Sequence, residues 1–166
     1  YYNQFDYKKK YKDIMFRAAK GLQSTELNEL QAMLRHEFNT VVNTLYGDGS
    51  VLRGGTVTVN DKNIHISDSI ILAKNWTHII PETQLTITAN GTEIIGIALK
   101  ESEVTENEDE SLRDPAVGTR NYKEPGAGRL KVDSRFCLEG DKKDGEQFFP
   151  IFTFKDGVFI SNQKIA

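Results

Sequence analysis

Between Leu27 and Leu45 the apolar residues fall at helical steps, and this run constrains the fold more than any other part of the 166-residue chain. Leu27, Leu30, Leu34, Phe38, Val41, Val42 and Leu45 recur every three or four positions, which lines one face of an α-helix. Ser24 has the chemistry of an N-cap, and Glu26 and Glu29 place negative charge on the first turns, where the helix dipole favours it. Gly47 and the Asp48-Gly49 turn supply the stop. A helix from Ser24 to Tyr46 would be about 34 Å long. Such a face can pack on the chain's own sheet. Leu27, Leu30, Leu34, Val41 and Leu45 also resemble a heptad seam, interrupted by Glu37 and Phe38, which suits a short dimeric or trimeric bundle. Both readings hold if the helix has two apolar flanks.

Past Gly49 the pattern changes to strands. Val51, Val57 and Val59 surround Gly54-Gly55, which predicts a kink or bulge. Asn63–Ile66, Ile70–Leu72 and Trp76–Ile80 are short β-rich runs. Gln84–Thr88 and Glu93–Lys100 flank Asn90-Gly91, and Phe148–Phe154 and Val158–Ile160 flank Asp156-Gly157, so two hairpins are expected. Ahead of the helix, Tyr7, Tyr11, Ile14 and Met15 support at most a short helical piece before Gly21. The expected fold class is α+β: one long N-terminal helix followed by an antiparallel β domain with a long ordered loop. Residues 1–138 are expected to form the main module and residues 139–166 a β-hairpin extension. The chain opens without methionine and closes on an apolar-rich tail, so a region downstream of Ala166 is expected.

The loop in question is Glu108–Leu130. It lacks both periodicities, and Pro115, Gly118, Pro125, Gly126 and Gly128 break helix and strand alike. Loops longer than about 15 residues are uncommon in compact domains. Leu112, Val117 and Tyr122 offer apolar anchors, and Asp109, Asp114 and Glu124 can pair with Arg113, Arg120 and Lys123. Packing against its own domain or a neighbouring subunit would offset the entropy of ordering. The expected contact is a charge-assisted bond from Arg113 or Arg120 across a subunit interface, with Tyr122 as anchor.

A net charge of −3 provides no global attraction to nucleic acid or anionic lipid. Its distribution is uneven. Residues 1–20 hold Lys8, Lys9, Lys10, Lys12, Arg17 and Lys20 against Asp6 and Asp13, while residues 101–114 hold seven carboxylates against Arg113. These are either two solvated segments or opposed patches that steer assembly. Cys137 is the single cysteine, which rules out an internal disulfide and reads as a buried, inert thiol. No apolar run approaches the ~18 residues of a membrane-spanning helix, and no membrane partner is expected.

Candidate chemistry is sparse. His36 has Ala32 and Thr40 at the positions where an i, i+4 zinc pair would need a second ligand. His65 and His78 alternate with isoleucines and read as surface residues of strands. No Gly-x-Ser-x-Gly elbow is present. Glu106–Glu110 is a carboxylate cluster without the alternating ligands and central glycine of a calcium loop, so a solvated acidic segment is favoured. The aromatic and lysine mixture of Tyr1–Tyr11 is a pattern also found in nucleic-acid binders, but phosphate-cradling motifs are missing. No catalytic residue, cofactor, metal or nucleic-acid partner is expected.

Six motifs then point to a family. Tyr1-Tyr-Asn-Gln-Phe-Asp6, Met15-Phe-Arg17, Gly21–Gln31, Asp48–Gly55, Leu112–Tyr122 and Glu124–Leu130 resemble a domain of unknown function in tailed-bacteriophage and prophage proteins. Those proteins are tail-fibre or baseplate components, and the resemblance runs from residue 1 to about residue 138. It implies an N-terminal attachment module that anchors a fibre or arm to the phage tail. It also implies a virion location, other tail or baseplate proteins as partners, and no catalytic residues. A homotrimer is expected, with Leu27, Leu30, Leu34, Phe38, Val41, Leu45, Arg113, Asp114, Arg120, Tyr122 and Glu124 at its contacts. The alternative is a glycan-binding or glycan-degrading tail module in which Trp76, Tyr122 or the acidic loop faces sugar.

Overall fold

The computed structural model describes residues 1–162. Residues 163–166 of the expected hairpin extension, and any continuation past Ala166, lie outside them. A 3-10 turn at Tyr7–Lys9 is the only regular element before the helix, so residues 1–22 form an irregular strap with a second turn at residues 18–20. The helix, α1, spans Ser24–Leu45. Its N-cap is Gln23, one residue earlier than the sequence suggested, with no side-chain cap bond. The strands follow in order: β1 Ser50–Gly54, β2 Val57–Asn60, β3 Asn63–Ile66, β4 Ser69–Ala73 and β5 Trp76–Ile80. Then come β6 Thr83–Thr86, β7 Thr92–Val104, β8 Arg129–Leu138, β9 Gln147–Lys155 and β10 Val158–Asn162.

Every strand pairing is antiparallel, and the strands make three sheets, ordered β1-β4-β5, β2-β3-β6 and β10-β9-β7-β8. All three contribute to one core: Ile64 and Ile66 from β3, Ile71 and Ala73 from β4, Ile95 and Ile97 from β7, Phe152 and Phe154 from β9. β3 and β5 bury alternate residues, as half-covered strands must. β7 instead buries the unbroken run Ile95–Leu99, because it is central in its sheet and is covered on both faces. Gly96 in that run cannot be larger. A Cβ there would lie 2.1 Å from the Phe149 carbonyl oxygen, beside a bulge in the β7–β9 pairing. Gly54, at the expected kink, has φ +64 and backs onto the Asp68 carbonyl.

Several expectations need correction. The fold is not α+β with a long ordered loop: it is predominantly antiparallel β, with one α-helix among the described residues. The helix forms no layer of its own, since only Met33 on it is buried. The loop breaks into separate tight turns. Glu110–Leu112 is a 3-10 turn, and residues 114–124 close on themselves through Asp114 N–H to Glu124 O (3.0 Å) and Lys123 N–H to Asp114 O (2.9 Å). Of its three anchors only Leu112 is half-buried; Val117 at 78% and Tyr122 at 42% exposure stay in solvent and supply little burial to offset ordering.

Asn90-Gly91 is a turn but closes no hairpin, because β6 pairs with β3 and β7 pairs with β8 and β9. It carries the chain between two sheets, held by the Glu93 carboxylate, which accepts from Thr88 N–H and Ala89 N–H. Burial pushes the Glu93 carboxyl upward, but these bonds outweigh it and leave the group below its usual range. The Asp156-Gly157 hairpin forms as expected between β9 and β10, and Asp156 Oδ1 also accepts from Gly91 N–H. His78, read as a surface residue, is buried with Nε2 3.0 Å from the Ala73 carbonyl. The middle core-facing position of β5 simply holds an imidazole where the next, Ile80, is aliphatic.

Candidate functional site

β7 pairs on both sides only as far as Leu99. Beyond it, Lys100–Val104 pair with Arg129–Asp133 of β8 alone, so a two-stranded arm of about 17 Å leaves the sheet. The turns of residues 105–128 form a tongue at the tip of this arm. Helix α1 is tied to the same region. Lys74 in the β4–β5 turn pairs with Glu101 on the arm at 3.0 Å, and the next two residues, Asn75 of the turn and Trp76 at the start of β5, hold the helix. Asn75 Oδ1 accepts from Asn43 at 2.9 Å, and the Arg35 guanidinium stacks 3.3 Å from the centre of the Trp76 ring.

The strap grips the same side of the helix about two turns earlier, since Asn28 and His36 stand seven positions before Arg35 and Asn43. Asn28 donates to the Tyr2 carbonyl at 2.7 Å, Phe5 and Tyr7 pack on His36, and Lys12 pairs with Glu37. Tyr1 donates to Glu103 on the arm. The Glu37 carboxyl is held below its usual range by the Lys12 hydrogen bond and charge. His36, which carried no sequence signal beyond its lack of a metal partner, is thus the strap's aromatic anchor point.

These attachments leave one face of α1 open. Leu27, Leu34, Phe38, Val41 and Leu45 are 46–65% exposed, on a helix where Met33 faces inward at 5%. Gln31 is exposed among them, and with it the stripe reads 27, 31, 34, 38, 41, 45. Alternating steps of four and three are the a/d spacing of a coiled coil. Leu30, chosen from the sequence as part of the seam, is half-buried on the flank. A count of apolar residues selects Leu30; strict heptad spacing from Leu27, Leu34 and Val41 selects Gln31 instead. The stripe borders a shallow cleft formed by Gln31, Leu34, Arg35 and Phe38 of the helix with Asn75, Trp76 and Thr77.

The tongue residues form a second, separate group. Arg113 is half-buried and donates to the Lys123 carbonyl at 3.2 Å, inside the tongue. Asp114 Oδ1 caps Ala116 N–H at 2.8 Å. Tyr122 lies near Lys123, whose Nζ is 5.6 Å from the ring centre, and Glu124 and Arg120 are exposed. None of the expected ion pairs among Asp109, Asp114, Glu124, Arg113, Arg120 and Lys123 occurs among the described residues. No hydrogen bond joins the tongue to α1 among those residues.

Elsewhere the titratable groups have local structural roles. Arg135 holds Glu146 with two hydrogen bonds of 2.6 and 2.9 Å, and Lys143 N–H adds a third, which holds the Glu146 carboxyl down to about 2. Burial pushes the Cys137 thiol up. No group of three or more His, Cys, Asp or Glu is placed to hold a metal ion among the described residues. No helix there is long and apolar enough to cross a membrane.

Residues 1–166 match a domain of unknown function, DUF4815. The chain belongs to the DUF4815 family. No curated protein matches its sequence. Among solved structures it is similar to a chain of the type VI secretion system TssK-TssF-TssG baseplate subcomplex, at 8% identity and a TM-score of 0.45, covering 92% of this chain and 60% of that one. A chain of the type VI secretion system baseplate complex gives 8% and 0.44, covering 92% and 57%, and the crystal structure of TssK gives 9% and 0.39, covering 90% and 40%. The DUF4815 chain spans less than two thirds of each of these chains.

Proposed function

We propose that this DUF4815 chain is a structural, self-assembling module of a phage-tail-like particle, a homotrimer that anchors a fibre or arm to tail or baseplate proteins. The observation that carries the reading is the open heptad stripe on α1. In a lone chain it would leave five large apolar side chains in water along a single face. The surface area agrees. The chain exposes 11544 Å², whereas a compact monomer of 18.8 kDa exposes about 8,300 Å². The excess comes from projecting parts (strap, helix, arm and tongue), which offer surface for contacts with neighbours. The sequence motifs supply the tail and baseplate context, and the low-identity likeness to type VI baseplate chains carries none of the weight. Arg113, Asp114, Arg120, Tyr122 and Glu124 would form a second contact through the tongue.

The reading includes no catalysis. Where hydroxyls meet carboxylates among the described residues, as Ser111 on Asp109 and Thr105 on Glu108, the bonds close local turns, and the carboxylates with depressed pKa values each have a structural partner. The glycan alternative is less well supported, because Arg35 covers a face of Trp76 that a sugar would need. Multi-angle light scattering of the purified chain tests the assembly, with a trimer expected and a monomer at all concentrations contradicting it. Turnover of host capsule or peptidoglycan by the same preparation, lost on replacing one carboxylate, would overturn the non-catalytic part.

A further inference from the structure

We infer that Asn90-Gly91 is a self-modification site, a succinimide-forming pair, and that Asp156 of a neighbouring turn holds it unreacted. Asn90 is the one asparagine of the chain that precedes a glycine. Its side chain is exposed, and a Cβ placed on Gly91 would meet nothing within 4 Å, so water reaches the pair. The chemistry needs no other protein group. The Gly91 nitrogen loses its proton to solvent and bonds to Cγ of Asn90. The Cγ–Nδ2 bond then breaks, and the amide nitrogen takes up a proton and leaves as ammonia. Water opens the succinimide ring to aspartate or to isoaspartate at position 90. Glycine favours ring closure because it lacks the Cβ that would crowd the attacking nitrogen, and because its backbone turns freely.

The fold opposes the first step. Asp156 lies in the β9–β10 turn and grips both backbone groups of Gly91. Its Oδ1 accepts from Gly91 N–H at 2.8 Å, and its own N–H donates to the Gly91 carbonyl at 2.9 Å. The two turns also touch, since a Cβ on Gly157 would lie 2.9 Å from that of Ala89. Asn90 N–H donates in turn to Thr88 Oγ1 at 3.2 Å. The backbone is therefore pinned on both sides of the attacking nitrogen. Ring closure must break a hydrogen bond to a charged acceptor. It must also build negative charge on a nitrogen 2.8 Å from a carboxylate, where a like charge disfavours it. The joint matters because this turn carries the chain from β6 to β7, between two sheets. Isoaspartate would add a methylene to that backbone, and either product would add a third carboxylate to a turn already held by Glu93 and Asp156.

Peptide mass spectrometry of the full chain aged in mildly alkaline buffer tests this, reading conversion of the Asn90 carboxamide to acid and the share that is isoaspartate. Asp156→Gly removes the carboxylate and suits the turn, because Asp156 has φ 49 and glycine adopts that region without strain. Position 90 should react on the order of tenfold sooner in that variant than in the wild-type chain, the factor that one hydrogen bond to a charged group is worth. Val158→Ala, in the same hairpin but with the carboxylate kept, should react as the wild type does. Equal rates in wild type and Asp156→Gly would overturn the role of Asp156. So would a slower Asp156→Gly chain, with the carboxylate then acting as a base, or a Val158→Ala chain as fast as Asp156→Gly. A wild-type chain aged folded or in urea needs no variant: Asn90 should convert more slowly in the folded state by at least the same factor. Equal conversion in the two states would overturn the protection, and no conversion in urea would remove the site itself.

Discussion

Two apolar surfaces of this chain meet different fates. The inner faces of the three sheets close on one another, so that Ile64, Ile71, Ile97 and Phe152 have no accessible surface. The outer stripe of α1 has side chains of the same kind, yet they stay 46–65% exposed in their own chain. The hydrophobic driving force per unit area is the same in both places. What differs is geometry: the strap and the β4–β5 turn use the other side of the helix and hold its stripe outward. The core therefore accounts for folding, and the proposed association rests on the stripe.

This contrast predicts different experimental signatures. Phe152→Ala, which empties the centre of the core, should cost about 3–5 kcal/mol in denaturant unfolding, with a loss independent of protein concentration. Leu34→Asp should do the opposite. Far-UV circular dichroism should stay near wild type while assembly is lost, because the charge would enter the seam at a cost of several kcal/mol. If it unfolds the isolated chain, the stripe belongs to the core and the distinction fails. Arg120→Ala should weaken assembly less than Leu34→Asp and leave unfolding of the isolated chain unchanged. Wild-type assembly of that variant would remove the tongue from the contact.

The smallest effect concerns pH. The Glu146 carboxyl has a folded pKa of about 2, below its ordinary value of 4.5, because Arg135 and Lys143 N–H bind the ionised form. A depressed carboxylate contributes stability that is present above the unfolded pKa and lost as pH falls toward the folded one. Glu146→Gln should therefore flatten the stability profile between about pH 4.5 and 2. A profile parallel to wild type across that window would show that the pair adds nothing.

The contrast also explains how much was legible in the sequence. The helix from Ser24, the runs at Asn63–Ile66 and Trp76–Ile80 and the Asp156-Gly157 hairpin depend on local periodicity and turn chemistry, which sequence displays directly. Sheet partnership does not. Asn90-Gly91 has the chemistry of a hairpin turn, yet pairing of β6 with β3 makes it a crossing between sheets. Burial of His78 likewise depends on which sheet covers β5. The tongue failed for an energetic reason, because Val117 and Tyr122 find nothing to pack against in the single chain. At the candidate site, five of the six helix positions were recoverable from apolar spacing. Gln31 was missed because a polar residue in a seam is invisible to a search for apolar ones.

Sedimentation or light scattering of the wild-type chain across a wide concentration range tests the central claim most directly. The account predicts a species of three times the 18.8 kDa chain mass that dissociates on dilution or on Leu34→Asp substitution. A species of single-chain mass at every concentration, with the stripe of α1 still open to solvent, would contradict it.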